Sequence, residues 1–161
     1  MFLASIFCIA VLTACIPLLV ERSKKFLPQL TVHNSYTWLP VLAAVLFVVA
    51  FFIPDIHISK ETTTFQQHFV GGGIYCALLF VYFQKLLGWS TNWAVSILLL
   101  FAWTSAFGVA NELLEFTLTK LHLAQIGTGD TDWDLLANTL GSLISYIVLM
   151  GGKAILNRPS K

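Results

Sequence analysis

The sequence predicts an all-α membrane protein, a polytopic bundle of about five transmembrane helices. Three observations predict it. Apolar residues fill 57% of the 161 positions and charged residues 11%, with a mean hydropathy of +0.80; a soluble domain carries about 25% charged residues. Several apolar runs approach the roughly 20 residues that cross a ~30 Å hydrocarbon core. None alternates with the two-residue period of a strand, and in lipid only helices and closed barrels satisfy their own backbone. A net charge of +1 gives no basic surface for nucleic acid, so no such partner is expected.

In chain order the predicted spans are Phe2 to Val20, Trp38 to Ile53, Gln67 to Leu87, Trp93 to Ala110 and Leu135 to Met150. The second and fifth are short, and are expected to begin in the headgroup zone or to sit in a locally thinned bilayer. Gly88-Trp89-Ser90-Thr91-Asn92 reads as a tight turn between the third and fourth. From Asn111 the fourth helix is expected to continue, its leucines and Phe116 lying against the bundle or the interface, before a turn at Gly127-Thr128-Gly129-Asp130. Residues 1–156 form one domain, and 157–161 a flexible cytoplasmic tail.

The first span contains Leu12-Thr13-Ala14-Cys15, similar to a lipoprotein cleavage box. No basic residue precedes the apolar stretch, so it is expected to remain as a span. Cys8 and Cys15 lie about 10 Å apart along one helix, beyond disulfide reach, and read with Cys76 as small packing residues.

Lys and Arg set the expected orientation, since the cytoplasmic side collects them. With the N-terminus outside, Arg22, Lys24, Lys25, Lys85, Lys153, Arg158 and Lys161 are cytoplasmic, leaving Lys60 and Lys120 outside. Five spans then bring the basic C-terminus inside. Trp38, Trp89, Trp93 and Trp133 fall at segment ends, where indole prefers the interface. The protein is expected in the cell (plasma or inner) membrane, with Asp55, Glu61, Glu112, Glu115, Asp130, Asp132 and Asp134 on its outer face.

Helical spacing gathers the polar groups. His68, Gly72 and Tyr75 share one face of the third helix, and Ser105, Gly108, Glu112 and Glu115 one face of the fourth, beside a small-residue row of Ala102, Ala106 and Ala110. Asp134, Asn138, Gly141 and Ser145 share a face of the fifth. Gly71-Gly72-Gly73 costs helix propensity but lets another backbone come close. Each residue has a plain reading: Asp134 can cap its helix, Asn138 can join two helices, and Glu112 and Glu115 can lie on a solvated end. Together they predict a pocket at the membrane edge in which His68, Glu112, Glu115, Asp134 and Asn138 are the candidate catalytic residues. Glu112, Glu115, Asp130 and Asp134 are the candidate ligands of a divalent cation.

Asp130-Thr131-Asp132-Trp133-Asp134 opens like a calcium loop, but Leu135 stands where glycine is needed and Gly141 where a bidentate glutamate is needed, which excludes an EF-hand. Nucleotide-binding glycine loops, a Ser/His/Asp set and zinc-type Cys/His spacing are missing.

Asp134-Leu135-Leu136-Ala137-Asn138-Thr139-Leu140-Gly141 resembles the signature that opens the last helix of the VanZ-like membrane protein superfamily. His68-Phe69 and Asn111-Glu112-Leu113-Leu114-Glu115-Phe116 stand in the places of its histidine–phenylalanine and acidic pairs. Thr63-Thr64-Phe65-Gln66-Gln67 replaces its usual Asp-Lys, and the glutamate spacing with Gly129-Asp130 is closer to the related YjdF-like inner-membrane proteins. The resemblance implies a small multi-helix membrane protein tied to the cell envelope and, through VanZ itself, to tolerance of the lipoglycopeptide teicoplanin. Two function classes follow. The pocket either holds a cation or divides acid and base roles on a lipid or lipid-linked headgroup, or it binds a lipid or lipoglycopeptide without bond cleavage. A third class, in which the polar residues only join helices, stands beside them. A charge-free mid-membrane region argues against transport.

Overall fold

The computed structural model describes residues 2–23, 26, 36–58, 61–123 and 131–156. They form a bundle of five helices: α1 (Phe2–Ser23), α2 (Trp38–Ala50), α3 (Phe65–Leu86), α4 (Trp93–Lys120) and α5 (Thr131–Leu156). Four of these, all but α2, are long and apolar enough to cross a membrane. With 13 residues, α2 rises only about 20 Å. Its Pro40 stands in the first turn, where a missing N–H costs nothing.

One departure from the expected all-α chain is a small antiparallel hairpin between α2 and α3. Strands β1 (Ile56–Ile58) and β2 (Glu61–Thr63) pair with Ile56 opposite Thr63 and Ile58 opposite Glu61. Several helix boundaries also differ by two or three residues, and those of the fifth helix by more. The fifth helix starts four residues before Leu135 and runs six beyond Met150, because polar Thr131 and Asp132 suit a helix N-terminus although they break the apolar run. The fourth continues unbroken to Lys120, as expected. The predicted turn at 127–130 and the tail at 157–161 lie outside the described residues.

α3 is the centre. Its span is 61% buried, against 17, 22 and 28% for those of α1, α4 and α5. Away from the hairpin, Leu78, Leu79, Phe80, Val81, Tyr82 and Leu86 pack on Leu39 and Ala43 of α2, Leu100 of α4 and Tyr146 of α5. Large apolar side chains such as Leu18, Leu98 and Val148 are instead turned outward. Burying one stripe and exposing the rest suits a helical membrane bundle, whose outer surface meets lipid. The predicted turn after α3 is present, with Gly88 at a φ of 61° and Asn92 capping α4 through its Oδ1 to the Val95 N–H at 2.9 Å.

The small residues act where α3 meets its neighbours. From Phe69 to Ile74 this helix widens into a π turn, in which the Tyr75 N–H reaches the Val70 carbonyl five residues back. A Cβ on Gly71 would stand 2.7 Å from Ala50 Cβ of α2. One on Gly73 would stand 2.7 Å from both the Asn138 carbonyl oxygen and Gly141 Cα, and one on Gly141 2.4 Å from the Phe69 carbonyl oxygen. The row Ala102, Ala106 and Ala110, expected to pack, is exposed. The buried face of α4 is Ser96, Leu100, Thr104 and Gly108; the alanines stand two residues further on, about 200° around the helix and so on its opposite side.

These contacts predict opposite outcomes for two glycine substitutions. Gly73→Ala drives a methyl into unyielding backbone and should destabilise the detergent-solubilised protein by about 1–3 kcal/mol. Gly151→Ala meets nothing within 4 Å and should be neutral or stabilise by up to about 1 kcal/mol. Equilibrium unfolding of the two variants checks both signs.

Candidate functional site

The polar groups that do not serve the apolar core meet where the hairpin joins α3. Thr63, the last residue of β2, is 1% exposed, and its Oγ1 accepts the Phe65 N–H at 3.0 Å as the helix starts. Gln67 ties the same end to the exit of α2, donating to the Ile53 carbonyl at 3.0 Å and to Asp55 Oδ1 at 2.9 Å. Phe65 packs edge-on against Trp133 of α5 with ring centroids 6.4 Å apart. The start of α3 is thereby fixed against the start of α5.

That fixed junction carries the first pair. Asp134, 3% exposed in the first turn of α5, accepts the Thr64 hydroxyl on Oδ1 at 2.9 Å. Its Oδ2 lies 3.4 Å from His68 Nε2. The other helix supplies the second carboxylate. Glu112 Oε2 accepts the Thr131 hydroxyl at 2.9 Å, while Oε1 is buried with no hydrogen-bond partner among the described residues. His68, Glu112 and Asp134 each offer one ligand atom, and the three atoms lie within 4.8 Å of one another.

Asn138 stands one turn further along α5 and is 4% exposed. Its side chain fits between two glycines. A Cβ on Gly72 would fall 1.8 Å from Oδ1, and one on Gly108 3.4 Å from Nδ2. Oδ1 has no hydrogen-bond partner among the described residues. Glu115 is held by Asn111, whose Nδ2 donates to Oε1 at 2.7 Å, and it feels the charges of Glu112, His68 and Asp134.

Beside this cluster lies a cavity of about 330 Å³, within the usual range for a small-ligand site. Its polar end is formed by Gln67, His68, Asn111, Glu115 and Asn138, and its walls by Ile9, Phe47, Phe51, Phe107 and Leu114. Every helix contributes. Tyr75, also lining it, is anchored to Thr13 of α1 by a 2.8 Å hydrogen bond between hydroxyls. Among the described residues, no lysine or arginine lines the cavity.

The structure brings together His68, Glu112 and Asp134 as one triad, and places Glu115 and Asn138 with His68 around the cavity. Of the expected ligands Glu112, Glu115, Asp130 and Asp134, the structure gathers Glu112 and Asp134, with His68 beside them. Glu115 stands outside that group, its Oε1 accepting from Asn111. Asp130 lies outside the described residues. Ser145, expected on the buried face of α5, is half-buried, and Ser142 is the buried serine there. Sequence reasoning missed the two hydroxyls that orient the carboxylates, Thr64 and Thr131. Their only signal was position, one just before the histidine helix and the other at the start of α5.

No protein-family model, curated protein or solved structure matches the chain.

A double-mutant cycle tests the threonine contact. Thr64→Val should cost about 1–3 kcal/mol, the range for a hydrogen bond to a charged group. In an Asp134→Asn background the cost should shrink, giving a coupling of at least about 0.5 kcal/mol. Additive effects in thermal or denaturant unfolding would show that the hydroxyl does not serve Asp134.

Proposed function

We propose that this chain is a VanZ-like multi-pass protein of the cell membrane that captures a lipid or lipid-linked envelope molecule. The apolar part enters the cavity, and the headgroup meets His68, Glu112, Glu115, Asp134 and Asn138. One observation carries this reading: a cavity with aromatic and aliphatic walls and a single polar end built from three helices. Amphiphiles match that division, and a hydrogen-bonding headgroup suits an end that carries amides, an imidazole and the Glu115 carboxylate. The His68–Asp134 pair orients an imidazole as acid–base pairs require. It is therefore placed for proton transfer to a headgroup. A lipoglycopeptide, with its lipid tail, belongs to the same ligand class.

In this reading all five helices span, with the N-terminus and the polar site outside and the C-terminus in the cytoplasm. The seven-to-two division of basic residues supports it. The short α2 is accommodated by local thinning of the bilayer. Reporter fusions after Ser35 and after Lys161 should both read cytoplasmic, and an outside signal at either point would refute this orientation.

Ligand capture is tested by mass spectrometry of amphiphiles retained on the detergent-purified protein. Ala110→Phe places a ring at the cavity wall and should lower specific retention several-fold. Glu112→Gln and Asp134→Asn preserve shape and hydrogen-bonding capacity, so they should reduce retention with melting temperatures within about 4 °C of wild type. A structural role alone predicts the reverse: retention unchanged per folded molecule, with a loss of stability approaching about 3–5 kcal/mol.

A further inference from the structure

We infer that His68, Glu112 and Asp134 form a binding site for one divalent transition-metal ion, beside the cavity and independent of its occupancy. The first support is the donor set. One imidazole nitrogen and two carboxylates, with ligand atoms within 4.8 Å of one another, come from three different helices. Metal–ligand bonds of about 2.0–2.2 Å hold donors roughly 3–4 Å apart, so a small closing of the side chains completes the shell. Mixed nitrogen and oxygen donors suit zinc or manganese. Calcium, which takes 6–8 oxygens, is disfavoured.

The second support is how the carboxylates are held. Thr64 occupies one oxygen of Asp134 and Thr131 one oxygen of Glu112. Each hydroxyl fixes the rotation of its carboxylate, the arrangement by which outer partners orient metal ligands. Asp134 turns its second oxygen to His68, whereas Glu112 Oε1 is buried with no hydrogen-bond partner among the described residues.

A third observation points the same way. Asn138, 96% buried by its 4% exposure, has Oδ1 without a partner and turned into the notch over Gly72. Gly72 and Asn138 each lie four residues, about one turn, beyond His68 and Asp134. The unpaired amide oxygen is therefore held against Gly72, one turn along the helices that carry His68 and Asp134. Three protein ligands with further positions left open is the pattern of sites that present a metal to a ligand, in contrast to closed structural sites.

The test uses the full chain in detergent, stripped with a chelator and dialysed against Zn²⁺ or Mn²⁺. Wild type should retain about one ion per chain by elemental analysis. Ion at a hundredfold excess over its Kd should raise the melting temperature by roughly 5–10 °C. Glu112→Gln and His68→Ala should lose the ion at least tenfold. Ala110→Phe, which blocks the cavity without touching the triad, should keep it, so failure of amphiphile capture and failure of the metal site are distinguishable. If the ligand variants do not fold, anomalous scattering from Mn²⁺ in wild-type crystals decides the location. Wild type that retains no ion, folded ligand variants that keep it, or an ion found away from these three side chains each overturns the proposal.

Discussion

The close approach of α3 and α5 at Gly73 and Gly141 is the constraint on which the site depends. Both residues lack a Cβ, and the backbones meet where a methyl would stand under 3 Å from main-chain atoms. In lipid there is no hydrophobic effect between helices, so association rests on van der Waals packing, interhelical hydrogen bonds and lipid entropy. Consecutive glycines cost about 1 kcal/mol each in helix propensity. That cost is local, and the gain is spread along two long helices. The contact also fixes register. With Gly73 seated against Asn138 and Gly141, Gly72 lies under the Asn138 side chain, and one turn earlier His68 meets Asp134.

Charge and packing divide the bundle along its length. Below the glycines, Phe80, Tyr146 and Trp103 pack by their rings, and among the described residues the buried groups there are neutral. Above them, α4 and α5 present Glu112, Glu115 and Asp134 to one another, beside His68 of α3. Like charges so placed repel, and an environment with few waters strengthens the repulsion. Thr64, Thr131 and Asn111 hold the carboxylates in fixed orientations in spite of this. The hairpin contributes through Thr63 and Thr64, which couple the exit of α2 to the start of α5.

The helices were legible because their signal is long: each apolar run is several turns, and the composition leaves no soluble alternative. The faces of α3 and α5 were legible for the same reason, since helical spacing alone places His68 with Gly72 and Asp134 with Asn138. Three things were not. The alanine row of α4 was misplaced because in lipid hydrophobicity cannot distinguish an outward row from an inward one: Ala102, Ala106 and Ala110 lie about 200° around the helix from the buried Leu100, Thr104 and Gly108. The hairpin was hidden because three-residue strands carry almost no periodicity, although Ile56, Ile58, Thr62 and Thr63 are β-branched. The grouping of His68 with Glu112 and Asp134 was hidden because Glu112 and Glu115 share one face of α4, and spacing alone does not separate them. Asn111, four residues before Glu115, holds that second carboxylate.

Whether the fold needs its carboxylates follows from the same geometry. The α3–α5 contact is made by glycine, backbone and an asparagine, and the bundle beyond it by aromatic and aliphatic side chains. Neither requires Glu112 or Asp134. An apolar residue of similar volume would avoid the burial of Glu112 Oε1, and replacing buried ionic groups in this way is often neutral or stabilising. The fold would also be simpler without the unpaired Asn138 Oδ1, which Gly72 accommodates by giving up its side chain. Glycine, asparagine, histidine and two carboxylates are thus arranged at a net cost to the helices that carry them. The proposed cation and amphiphile headgroup would give partners to Glu112 Oε1 and Asn138 Oδ1, which have none among the described residues.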